Sequence, residues 1–194
     1  MMGTFADSYG STGGGEFIFT PLAGHNEFNG VTYDPFITFC LETNEYLDIG
    51  SAFKVVDIGP AAHHGGEGGS DPDPLDERTA WLYQSFRDGS LAAYGYDYGA
   101  GPGRVASADA LQTVIWGIED ELGSWVPGSA LETAFFNAAS TNANGLGSVR
   151  VLNIAWPSGK PAQSQLVLIP VPNAILLGVV GLGMIGCAKR RRVE

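Results

Sequence analysis

The stretch "ADALQTVIWGIEDEL", Ala108 to Leu122, decides the fold class. Leu111, Val114, Ile115, Ile118 and Leu122 recur at spacings of three and four, the pattern of a helix that buries one stripe. Ser107 precedes it as an N-cap and Gly123 follows it as a stop. Upstream, Asp76 can cap "ERTAWLYQSFRD", which Gly89 ends; downstream, "ALETAFFNAAS" repeats the spacing through Leu131, Phe135 and Ala138. Further out on both sides the pattern changes to strands. Phe17–Thr20, "PFITFCLE" and "SAFKVVDI" come before the helices, "SVRVLNIAW" and "SQLVLI" after them. "GPAAHHGGEGGSDPDP" and "LAAYGYDYGAGPGR" read as loops. Strands, then helices, then strands predict an α+β domain: a β-sandwich or barrel-like sheet with a helical insertion.

Three regions follow from this layout. Residues 1–15 are glycine-rich at their end and read as a flexible segment, 16–169 as one globular domain, and 170–194 as a tail. The chain of 194 residues is long enough for one real core. Its 16% of charged residues is low for a cytosolic protein and, with 28 glycines, fits an exported one. The net charge of −11 is uneven. Before Val171 stand six basic and twenty acidic side chains, a net −14 for the body. Such a surface repels phosphate backbones, which excludes nucleic acid as a partner.

The tail reads "VPNAILLGVVGLGMIGCAKRRRVE" from Val171. Ala174 to Ala188 carries no charge and ends in Lys189, Arg190, Arg191 and Arg192. Four glycines in that run would each weaken a helix in water by about 1 kcal/mol but are better tolerated in lipid. The expectation is a single C-terminal transmembrane helix, short of the roughly 20 residues of a comfortable span. Its basic end would stay cytoplasmic and the domain would face outward. From Pro170 to Arg192 the tail resembles the PEP-CTERM sorting signals of Gram-negative bacteria, which an exosortase protease cuts. The proline motif Val171-Pro172-Asn173-Ala174 is a variant lacking the usual Glu-Pro pair. The resemblance implies an exosortase-like processing partner, transient contact with the inner membrane, and a mature protein at the cell surface or beyond. "MMGTFADSYGSTGGGEF" is no signal peptide, so the expectation is a start further upstream, or a trimmed sequence.

Cys40, in "TFCLE", has only Cys187 in the tail as a possible partner. If the tail is cut away, one thiol is left in an oxidising compartment, where it is a liability unless buried and inert or put to use. Gln112 stands beside the apolar stripe of its helix, four residues before Trp116; a glutamine there ordinarily just hydrogen-bonds a loop. Phe39-Cys40-Leu41 on an early strand, "DPLDERTAWLYQSF", and "LQTVIWGIEDEL" on a later helix together resemble the thioester domains of bacterial surface adhesins. The likeness runs from about Phe36 to Leu122. Leu111 and Val114 depart from the residues usual there. The resemblance implies an internal thioester between Cys40 and Gln112 and covalent attachment to an amine, typically a lysine, on a surface or matrix protein. No cofactor and no turnover are implied.

The residue types suit that bond. Sulfur is the nucleophile and the carboxamide carbon the electrophile, and fixed geometry supplies an effective molarity of about 10⁵ M or more. Phe39, Trp81 and Trp116 are the aromatic residues expected to keep water out. Glu42, Glu119 and the His63/His64 pair are the candidates for deprotonating Cys40. The same histidines with Glu67, Asp71 and Asp73 lack metal-ligand spacing, so no metal site is expected. The alternative is a non-covalent structural or matrix protein of the same fold, with Cys40 a core thiol and Gln112 a hydrogen-bonding helix residue.

Overall fold

Alternation of aromatic and β-branched residues with polar ones sets the strands, and the three amphipathic stretches set the helices. The computed structural model describes residues 1–11 and 14–170. In chain order its strands are β1 (Met2–Tyr9), β2 (Glu16–Pro21), β3 (Glu27–Phe28), β4 (Val31–Thr32), β5 (Phe36–Thr38), β6 (Ala52–Gly59), β7 (Ala61–Ala62) and β8 (Asp73–Pro74). The helices α1 (Glu77–Asp88), α2 (Pro102–Ile118) and α3 (Ala130–Asn142) follow, then β9 (Val149–Ala155) and β10 (Pro161–Leu168).

Six strands form one antiparallel sheet in the order β10-β9-β6-β1-β2-β5. The pairs β3–β4 and β7–β8 are two-residue ribbons. The outer strands meet at one point, where Cys40, just past β5, bridges Gln165 of β10. There Leu41 N–H donates to the Ser164 carbonyl and Leu166 N–H to the Phe39 carbonyl, both at 3.1 Å.

The period of two divides the core. Phe39, Leu41, Val149, Val151 and Leu166 face the helices and pack with Leu82, Tyr83, Phe86, Leu111, Ile115 and Phe135. Their neighbours Cys40, Leu152 and Val167 turn to the other face and join Phe5, Phe17, Phe19, Phe53 and Trp116. A large apolar side chain buried in this way contributes about 1.5–3 kcal/mol relative to exposure.

The architecture corrects the expected one. Among the described residues it is a mixed α/β fold of one principal sheet and three helices, the helices covering one face of that sheet in place of a second full sheet. Among the described residues no helix is long and apolar enough to cross a membrane. The run 174–188, the motif Val171 to Ala174 and the basic cluster 189–192 lie outside the described residues. The flexible segment expected over 1–15 is corrected too. Met2–Tyr9 is an interior strand between β6 and β2, with Phe5 buried against Phe19 and Phe53.

Candidate thiol–carboxamide site

Cys40 lies where β5 has ended and a single bridge holds the chain to β10. Its own N–H and C=O point away from β10, toward α2, and would be orphaned there without a partner. Gln112 supplies it. Its Oε1 accepts from Cys40 N–H at 3.0 Å and its Nε2 donates to the Cys40 carbonyl at 2.9 Å. A second main-chain donor, Gly15 N–H, reaches the same Oε1 at 3.0 Å. The two residues are 72 positions apart and both are fully buried. The helix makes this possible through its two faces: Leu111, Val114, Ile115 and Ile118 go to the helix-side core, while Gln112 and Trp116, one turn apart, serve the cysteine side.

Two further glutamines complete the surroundings, and nothing in the sequence pattern marked them. The Cys40 thiol donates to Gln163 Oε1 at 3.0 Å, and Gln165 Nε2 donates to Sγ at 3.4 Å. A bulge lies between Ala162 and Gln165 in the β10–β9 ladder. Gln163 and Gln165, two residues apart, share the sulfur's face by ordinary alternation, and the extra residue puts Ala162 on that face as well. Gln163 Nε2 donates onward to the Glu42 carbonyl at 2.5 Å.

The loop that brings Gly15 is anchored by an ion pair whose carboxylate is buried. Glu16 is 1% exposed and accepts two bonds from Arg104, at 2.8 and 2.7 Å, and one from the Tyr96 hydroxyl. A planar guanidinium gripping one carboxylate twice fixes direction as well as distance. At Gly14 there is no room for a side chain: a Cβ would stand 2.6 Å from Gln112 Cγ and 2.7 Å from the Trp116 ring.

Burial holds the Cys40 thiol far above its ordinary range; the Gln165 bond opposes this and the Glu42 charge adds to it. Glu42 is 2% exposed, and burial followed by the Glu45 charge pushes its carboxyl up to about 8. Its Oε2 accepts from Ser164 N–H at 2.8 Å, whereas its Oε1 has no hydrogen-bond partner among the described residues. Gln165 Oε1 and Trp116 Nε1 are likewise buried without one. Unpaired buried polar atoms of this kind are uncommon in folded proteins.

Of the aromatic residues expected here, Trp116 is present. Phe39 turns to the helix side, edge-on to Phe86 at 5.0 Å, and Trp81 packs on Tyr94 at 5.7 Å, away from the thiol. That follows from alternation, since the neighbour of an inward cysteine points outward. Glu119 is buried, and that burial pushes it up to about 8 while its Oε1 takes Asp76 N–H at 3.3 Å at the head of α1. His63 and His64 stand 3.6 and 3.7 Å from Asp57 and Asp71, half-exposed. Among the described residues no group of three or more His, Cys, Asp or Glu is placed to hold a metal ion.

The Gln112 carboxamide takes two main-chain N–H donors on its oxygen, and such donors would hold the negative charge of a tetrahedral intermediate at its carbon; the carboxamides bonded to the thiol itself are those of Gln163 and Gln165. No protein family, curated protein or solved structure matches the chain.

Proposed function

We propose that Cys40 and Gln112 close an internal thioester and that the protein uses it to bond covalently to an amine on another surface or matrix protein. The observation that carries this reading is the grip on Gln112: Oε1 between Gly15 N–H and Cys40 N–H, with its amide held to the residue that bears the thiol. Ring closure would proceed by attack of Sγ on Gln112 Cδ, with charge gathering on Oε1. The C–N bond then breaks, and the thiol proton leaves with the amide nitrogen as ammonia. The resting thiol is protonated, so the proton must move as the S–C bond forms. Glu42 is the nearest buried carboxyl in sequence and the group we assign to that transfer. The reaction is single-use: aminolysis consumes the bond.

This reading also gives Cys40 a use outside the cytoplasm, where a free thiol is a liability. Export to the cell surface, with exosortase-like processing, rests on the resemblance of the tail. The non-covalent alternative is favoured by one observation, the complete burial of Cys40 and Gln112 in bonded positions that a polar core would also fill.

Intact mass decides between them. The native protein should weigh one ammonia less than its sequence, the deficit should vanish in Cys40→Ala and in Gln112→Ala, and methylamine should add its full mass. A native mass equal to the sequence, with Cys40 labelled as a free thiol once the chain is unfolded, would establish the non-covalent reading.

A further inference from the structure

We propose that Gln165 is a catalytic residue at sulfur, its Nε2–H taking the charge that gathers on Sγ whenever the Cys40–Gln112 bond is made or broken; this rests on the thioester reading. Gln112 and its two N–H donors account for the oxygen side of the reaction only. Charge also develops at the other end, because a thiolate is the nucleophile in closure and the leaving group in opening. A donor fixed against the sulfur serves both.

Two glutamines touch the sulfur, in opposite senses. The thiol donates to Gln163 Oε1 at 3.0 Å, while Gln165 Nε2 donates to Sγ at 3.4 Å. Main-chain carbonyls fix which way each amide faces, since a carbonyl can only accept. Gln163 Nε2 is turned to the Glu42 carbonyl, which leaves its oxygen for the thiol. Gln165 Nε2 divides its hydrogens between Sγ and the Gln163 carbonyl, the latter also at 3.4 Å. Gln163 therefore stabilises the protonated thiol; of the two, only Gln165 can stabilise the anion. Among the described residues no main-chain N–H reaches either oxygen, so neither glutamine is equipped, as Gln112 is, to be the electrophile.

The placing of Gln165 is poor as structure. It is fully buried, and its Oε1 has no partner among the described residues. An orphaned oxygen of this kind destabilises a fold, where an apolar side chain of the same length would not. Burial drives the Cys40 thiol far above its ordinary range, and the Gln165 bond is the contact that opposes it.

Closure and opening share one path. In closure the S–C bond forms at Gln112 Cδ, the C–N bond breaks and the thiol proton leaves in ammonia. In opening by methylamine a C–N bond forms, the S–C bond breaks and one amine proton ends on sulfur. Each passes through the same charged sulfur, so one donor speeds both by a similar factor.

The test compares Gln165→Met with Gln163→Met in the full chain. Closure is followed as ammonia loss by intact mass after refolding, opening as methylamine uptake, and folding by the urea midpoint. Gln165→Met removes the orphaned oxygen together with the donor. Its midpoint should stay near native while closure and opening both slow about tenfold or more, as on losing a bond to a charged group. Gln163→Met strips the Glu42 carbonyl of its donor, so its midpoint should fall, yet closure should not slow. Rate and stability thus part, which a packing role does not produce. Gln165→Leu is the second variant and carries the same expectation. Closure at the native rate in both Gln165 variants overturns the assignment, as does slowing of Gln165→Met and Gln163→Met in step with their midpoints. Failure of both Gln165 variants to fold overturns it too, because the amide would then belong to the structure. Native protein without the ammonia deficit overturns the thioester reading and this one together, whereas a native deficit with Gln165 variants that close normally overturns this one alone.

Discussion

Gln112 does in the resting protein what a neighbouring strand would do, pairing both main-chain groups of Cys40 while its oxygen also takes Gly15. Gln112→Leu keeps the bulk and leaves those three buried groups unpaired, each costing about 1–3 kcal/mol. The variant should lose at least about 3 kcal/mol in urea unfolding, more than an ordinary surface-helix glutamine would. A second residue-scale effect concerns pH. Glu42 and Glu119 are pushed up to about 8 from an ordinary 4.5. Between those values the folded chain holds protons that the unfolded chain has released, so stability falls as pH rises from about 4.5 to about 8. The contribution is complete below that window and gone above it. Each group contributes a slope of at most about 1.4 kcal/mol per pH unit. Urea midpoints at pH 5 and pH 8 should therefore differ in favour of pH 5, and Glu42→Gln should narrow the difference.

At the scale of elements, the site depends on what fixes Gly15, and that is the Glu16–Arg104 pair between β2 and α2. Arg104→Met leaves a buried carboxylate unpaired, which typically costs about 3–5 kcal/mol. It should also slow ring closure, followed as ammonia loss over time after refolding; unchanged closure would show that Gly15 is held by other means. The elements were unevenly legible in the sequence. Apolar spacing located α2 and α3, and α1 was located by its cap Asp76, whose carboxylate accepts from Arg78 N–H, and by its stop at Gly89. Yet α2 begins at Pro102 and not after Ser107, because a proline in the first turn needs no N–H partner. Ser107 sits inside the helix, with its hydroxyl donating to the Gly103 carbonyl and accepting from Asp97 N–H. The helix stops at Ile118 and not Leu122, with Asp120 at a φ of 61°. In the site, Cys40 and Gln112 stood out by residue type and local motif. Gly15, Gln163 and Gln165 did not, because a loop anchor and the pairing of β10 beside Cys40 bring them to the site from 97 residues before Gln112 and from 123 and 125 residues after Cys40.

Taken as a whole molecule, the sheet is centred on strands that the sequence read unequally. β9, buried on both faces along most of its length, is apolar enough to announce itself. β1 is short of apolar residues, and its place between β6 and β2 rests on Phe5 and a few small neighbours. Phe5→Ala should therefore cost about 3–5 kcal/mol and unfold the sheet cooperatively, as a core truncation does and a change in a loose terminal arm does not. The meeting of β5 and α2 at Cys40 and Gln112 has a mechanical side. A bond there would turn 72 residues of chain into a closed loop that tension cannot straighten. At about 3.4 Å per residue, the stretched molecule would be roughly 250 Å shorter than its sequence allows. Capture of an amine would release that length, so one molecule held between two beads would report by its extension whether it had yet found its partner.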